Sequence, residues 1–220
     1  MPNPLLAENM DEALESTTAF FTIDPMVSSR LVTLQDALAK GNWSEAVKED
    51  SDLENRLKTQ GIEDPQNRDS IPWDDANLFF LSCVKLSPIG QPMPLEAGIS
   101  KERFGRFPYG DGNPMTYLRN WVRDSKRDSQ KFLLLTELQE RLATGFSGTT
   151  IQKGIARLEM RGCLTNSETT ELRKCLTSKC WMPAAEEPLD GGCHDAAKHL
   201  VALLRAAEKR DCGIVLRVHN

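Results

Sequence analysis

The chain has 220 residues, of which 40% are apolar and 27% charged, with a net charge of −5; this suffices for an ordinary core without disulfide or metal staples. No basic segment followed by an apolar run opens the sequence, and no stretch approaches the ~18–20 apolar residues that span a bilayer, so export and membrane insertion are not expected. Six cysteines (Cys83, Cys163, Cys175, Cys180, Cys193 and Cys212) without an export signal read as reduced thiols of a cytoplasmic protein.

The net charge conceals an asymmetry. Residues 1–100 carry 7 basic against 17 acidic side chains, a balance of −10, whereas residues 101–180 carry 15 against 9, a balance of +6. An acidic half and a basic middle can attract each other, or the middle can face an anionic partner.

In chain order, Leu5, Leu6, Met10, Ala13, Leu14, Thr17 and Phe20 or Phe21 recur at three- and four-residue intervals and predict an amphipathic helix over 5–21, ended by Asp24 and Pro25. Ser28 or Ser29 is placed to cap a second helix with Leu31, Leu34 and Leu38, which Gly41 and Asn42 stop. A third is expected over 44–58. Residues 39–46, with Gly41 and Trp43, resemble the turn of a tetratricopeptide repeat, but no second copy follows at the ~34-residue period of such arrays, so an ordinary helical hairpin is expected. Residues 61–72 read as a polar loop. Asp74 or Asp75 can cap an apolar segment from Leu78 to Leu86, helical by its cap and length, with a strand at 79–86 as the alternative. Pro88, Gly90, Pro92, Pro94 and Gly98 then impose a long loop.

The segment 103–109 interleaves Phe104, Phe107 and Tyr109 with Arg103 and Arg106, an arrangement suited to stacking bases of a single strand while guanidiniums meet phosphates. Asn113 and Pro114 open a helix with Met115, Leu118, Trp121 and Val122 inward. Asp128 or Ser129 caps the next, which contains Leu135, Leu138 and Leu142 and ends at Gly145. Ile151, Ile155 and Leu158 predict a helix over 149–161, stopped by Gly162. Thr165 and Glu168 have capping-box spacing and start a helix to about Ser178. A helix over 195–210 and a short strand over 213–218 close the chain, the strand expected to pair with residues 79–86 or with another chain.

Residues 136–164, ending in Leu158-Glu-Met-Arg-Gly-Cys-Leu164, resemble the helix-turn-helix of MarR-like winged-helix proteins. The resemblance implies that the second helix reads DNA, with Lys153, Arg157 and Arg161 turned from the apolar face towards phosphates or base edges. The sequence departs from that family after Leu164, where helix replaces the strands of a wing. Cys175, Cys180, His194 and His199 have spacing close to that of a zinc finger, but the hairpin and apolar core of a finger are missing, and no metal or cofactor is expected. The phosphate-binding glycine motifs, H-E-x-x-H and G-x-S-x-G are absent.

The sequence therefore predicts a mainly α protein, a multi-helix bundle of helical hairpins with at most a minor β element near the C-terminus. Acidic helices over 1–60 would precede a helical main domain over 61–220. The expected role is non-enzymatic binding of a protein partner through helical surfaces. The alternative is DNA or RNA binding through Lys153, Arg157 and Arg161, with Arg103 and Arg106.

Overall fold

A computed structural model describes residues 20–87, 93, 114–189 and 191–219. The last expected element organises the rest. Strand β5 (Gly213–His219) lies at the centre of a three-stranded antiparallel sheet, between β1 (Phe20–Met26) and β3 (Glu159–Leu164). Ile214, Val215 and Leu216 are all buried. A strand covered on both faces needs an unbroken apolar run, and each such side chain contributes on the order of 1.5–3 kcal/mol.

The two faces carry different helices. Eight α-helices lie among the described residues: α1 (Ser28–Lys40), α2 (Trp43–Glu49), α3 (Ser51–Thr59) and α4 (Asp75–Cys83) in the first half, and α6 (Ser129–Thr144), α7 (Asn166–Leu176) and α8 (Gly192–Lys209) in the second. The eighth, α5 (Pro114–Trp121), precedes α6. Ile214, Leu216 and Val218 pack with Phe21, Ile23 and Leu164 against α5 to α8. Val215 faces the other way, with Met26, Leu158 and Met160, against α1 to α4. The result is a helix–sheet–helix sandwich. A two-stranded ribbon of β2 (Val122–Asp124) and β4 (Trp181–Pro183) lies apart from the main sheet. The boundary expected at residue 60 falls just after α3, and α1, α3 and α4 share one apolar cluster.

The architecture is thus mixed α/β rather than a helical bundle, although most of the described helices and the C-terminal strand are present. Phe20 to Met26 form an edge strand, not the end of a helix, and Pro25 is tolerated because an edge strand has one side free of ladder bonds. The remainder of the expected first helix lies outside the described residues, as do Arg103, Arg106 and Asn113. Residues 79–86 are not the partner of β5: helix α4 runs to Cys83, and Val84 makes only a bridge to Met26.

Local signals explain most helix ends. Asp74 accepts from the Asn77 N–H at 2.9 Å, Asp128 from Lys131 at 3.0 Å, and Thr165 and Glu168 form the reciprocal capping box. The helix expected over 44–58 is broken at Asp50, whose carboxylate caps α3 through Leu53 at 2.9 Å. Ser28 caps nothing on α1. Its hydroxyl accepts from the Asn166 N–H at 2.8 Å and ties the two helical layers together. Trp43, from the repeat-like turn, is buried and donates from Nε1 to the Pro65 carbonyl at 2.8 Å, which fastens the polar loop to the hairpin.

The expected reader helix over 149–161 does not form. Ile151 and Leu158 enter the core, but Ile155 is 64% exposed, so the three do not share a buried face. Burial alternates over 159–164 as in a strand, with Met160, Gly162 and Leu164 buried on β3, and the irregularity after Met160 turns Met160 and Leu164 to opposite faces of the sheet.

Candidate functional site

Residues 152–160 fold as a β-hairpin leading into β3. Lys153 pairs with Glu159 across it. The Gly154 N–H donates to the Leu158 carbonyl at 2.9 Å, and the Met160 N–H to Gln152 at 2.8 Å. At the tip the Leu158 N–H reaches the Ile155 carbonyl at 3.3 Å, and the two residues between them, Ala156 and Arg157, have φ of 56° and 60°. Positive φ at both central residues is the signature of a type I′ turn, which favours Asn-Gly. Side chains with a Cβ cost roughly 1–2 kcal/mol each in that conformation.

The strained tip is held from the side by the start of α4. Asp74 Oδ2 accepts from the Ile155 N–H at 3.0 Å, and Asn77 Nδ2 donates to the Ile155 carbonyl at 3.3 Å. Burial alone would push the Asp74 carboxyl up. The N–H groups of Ile155 and Asn77 and the Asn77 amide outweigh it, so the group is held below its ordinary value and ionised. Gly154 permits this contact, because a Cβ there would meet Asn77 Nδ2 and Asp74 Oδ1 at 2.5 Å. The cap of one helix therefore doubles as the clamp of a distant turn.

Three of the sequence-predicted basic residues meet on this element, by a geometry other than the expected one. Arg161 lies 3.2 Å and Lys153 3.8 Å from Glu159, which neutralises both in part. Arg157, at the tip, has no ion-pair partner among the described residues. A groove of about 400 Å³ runs from Ile155 and Arg157 to Phe80 and Arg217. Arg217 is fixed by Asp24 at 2.9 and 3.0 Å and lies 4.9 Å over the Phe80 ring. The groove presents apolar surface between two guanidiniums. Ile155 was read from the sequence as a buried helix residue, whereas it is 64% exposed. The usable signal was an apolar residue directly before a short turn between two glycines.

Other chemistry considered from the sequence finds little support in the geometry. Cys180 Sγ is directed to the Cys175 carbonyl at 3.6 Å, and His194 lies against Trp181 with ring centres 5.1 Å apart. Among the described residues no group of three His, Cys, Asp or Glu side chains is placed to hold a metal ion. Burial pushes the Cys163 and Cys193 thiols up to about 12 and Cys175 to about 11, which keeps them protonated and poorly nucleophilic at neutral pH. No helix among the described residues is long and apolar enough to cross a membrane.

Comparison with protein-family models, with curated proteins and with solved structures gives no match. The functional reading rests on the site itself.

The turn provides a direct check on the strain. Replacing Ala156 by Asn together with Arg157 by Gly is expected to raise stability by about 1–2 kcal/mol, measured by urea unfolding. An unchanged or lowered midpoint would mean that the two residues bear no strain in the native turn.

Proposed function

We propose that this is a non-enzymatic cytoplasmic interaction protein that docks a protein partner on the hairpin tip. The partner offers an apolar side chain to Ile155 and the groove beside it, and a carboxylate to Arg157. One observation carries this reading. Ile155 is 64% exposed at the summit of a turn whose next two residues are in a costly conformation, and Asp74 and Asn77 hold it there. Backbone strain maintained by surrounding contacts is concentrated at binding and catalytic sites. An exposed aliphatic side chain flanked by cations suits a protein surface with an acidic rim.

The second reading is DNA or RNA binding. It is favoured by the gathering of Lys153, Arg157 and Arg161 on one hairpin, an element that can enter a nucleic-acid groove. Glu159 speaks against it, since it lies beside two of the three cations. Arg103 and Arg106 belong to this reading by their sequence alone.

A photo-crosslinking residue at position 155, compared with one at the equally exposed Leu133 of α6, tests the first reading in native lysate. A discrete protein adduct is expected from position 155 only, and it should disappear on adding Arg157→Glu. Equal labelling from both positions would remove the docking assignment. Fluorescence anisotropy with labelled DNA and RNA decides the second. Salt-sensitive binding that Lys153→Ala and Arg157→Ala abolish would replace the protein partner with a nucleic acid.

A further inference from the structure

Strand β1 begins beside the hairpin. Phe20 pairs with His219 and Glu159 with Val218, so β1 starts, β5 ends and β3 starts at one end of the sheet. The hairpin tip stands at that end, where Ile155, Arg157, Val218 and His219 line one groove. The strand order β1-β5-β3 puts two inter-strand spacings between the start of β1 and the base of the hairpin, about 10 Å. Residues 1–19 precede β1 and lie outside the described residues. Six residues of chain span up to about 20 Å when extended, so the part of this segment just ahead of Phe20 reaches the groove with the sheet left as it is.

The composition of the segment matches what it would meet there. Its charged side chains are Glu8, Asp11, Glu12 and Glu15, with no lysine or arginine, and Leu5, Leu6, Met10 and Leu14 are interleaved with them. The hairpin carries three cations, Lys153, Arg157 and Arg161, against the one carboxylate of Glu159, and Arg157 has no ion-pair partner among the described residues. Beside Arg157 stands the exposed Ile155. Counting back from β1, Glu15 is the first acidic residue and Leu14 the first leucine, both within reach of the groove. A segment tethered this closely meets its site at an effective concentration on the order of 1 mM. A contact with a Kd of about 1 mM is therefore half-formed at any protein concentration.

We propose that residues 1–19 dock in cis on the hairpin groove, with Leu14 against Ile155 and Glu15 at Arg157, and cover it until a partner displaces them. The inference rests on the docking reading of this groove and supplies its regulation. A partner must offer the same apolar and acidic chemistry and outcompete a tethered copy of it.

Photo-crosslinking of the purified full chain from position 155, with position 133 as reference, tests the proposal by peptide mass spectrometry. The expected product is a link within one molecule from position 155 to residues 1–19, in a yield independent of protein concentration and absent from position 133. Arg157→Glu should suppress the link, and Glu12→Lys with Glu15→Lys added to Arg157→Glu should restore it. In native lysate, Glu12→Lys with Glu15→Lys in the otherwise wild-type chain should increase the partner adduct from position 155. Three outcomes would overturn the proposal: position 155 gives no link to residues 1–19, the link forms between copies and grows with concentration, or Arg157→Glu leaves it unchanged. The two readings fail separately. A lysate adduct from position 155 without the internal link keeps the docking surface and removes its cover, whereas an internal link without a lysate adduct supports the contact in cis and removes the external partner.

Discussion

Gly162→Ala is expected to destabilise the fold by about 3 kcal/mol, the largest effect of any single methyl group added to β3. A Cβ at this position would lie 2.0 Å from the Arg141 carbonyl oxygen and 2.9 Å from that of Leu142. Both are backbone atoms in the last turn of α6. A flexible side chain could swing aside, but these oxygens move only if the helix end moves. The adjacent residue makes that costly, because the Phe146 N–H donates to the Arg161 carbonyl at 2.9 Å and holds the chain after α6 against β3. The pairing of β3 with β5 is already irregular between Met160 and Gly162, so little slack remains for the strand to absorb the shift. Urea unfolding measures the outcome. A loss below about 1 kcal/mol would mean that β3 and α6 separate easily.

Asp50→Ala should be comparably damaging, at about 3–5 kcal/mol. Arg30 is a charged side chain only 5% exposed. Its Nε and Nη2 donate to Asp50 at 2.6 and 3.0 Å, Nη2 also reaches Asp52 at 2.6 Å, and Nη1 reaches the Ser82 carbonyl at 3.2 Å. The network joins α1, the start of α3 and the end of α4. Removing Asp50 strands most of a buried guanidinium and also removes the cap of α3, itself worth about 1 kcal/mol. Asp52 compensates weakly, since its side chain is largely exposed. Asp50→Asn keeps the acceptor for Leu53 and should lose less than alanine does.

The same group sets a pH dependence. The Arg30 hydrogen bond, working against burial, holds the Asp50 carboxyl below its ordinary value of 3.8. A carboxyl with a depressed native pKa contributes its full stabilisation above the unfolded value and loses it as the pH falls through the native one. The wild-type protein should therefore lose this contribution only below about pH 4. Asp50→Ala should have a flatter acid limb. Parallel acid limbs in the two proteins would show that Asp50 is not linked to folding in this range.

Local sequence determined a large part of this fold. Asp74, Asp128 and the Thr165–Glu168 box were legible as helix starts because a cap is satisfied within three or four residues of chain. The helices they open, and the apolar run of β5, followed from burial periodicity. Asp50 was missed as a cap because the helix it divides keeps its apolar spacing across the break. The basic residues Lys153, Arg157 and Arg161 were recognised as neighbours, but on the wrong element.

Ile151, Ile155 and Leu158 show why. Their spacing fits a helix, and short windows of this kind are ambiguous when strand alternation begins within them, as it does at Glu159. What selected the hairpin lies far away in sequence. Asp74 and Asn77 hold the turn, and β5 offers β3 a ladder 50 or more residues downstream. Gly162 was read as a helix stop, whereas the folded chain uses its missing Cβ to bring β3 against α6. The sequence by itself thus determined most of the described helices and the C-terminal strand, which depend on nearby residues. The sheet and the clamped tip depend on groups from separate elements meeting in space, and only the tertiary structure decided those.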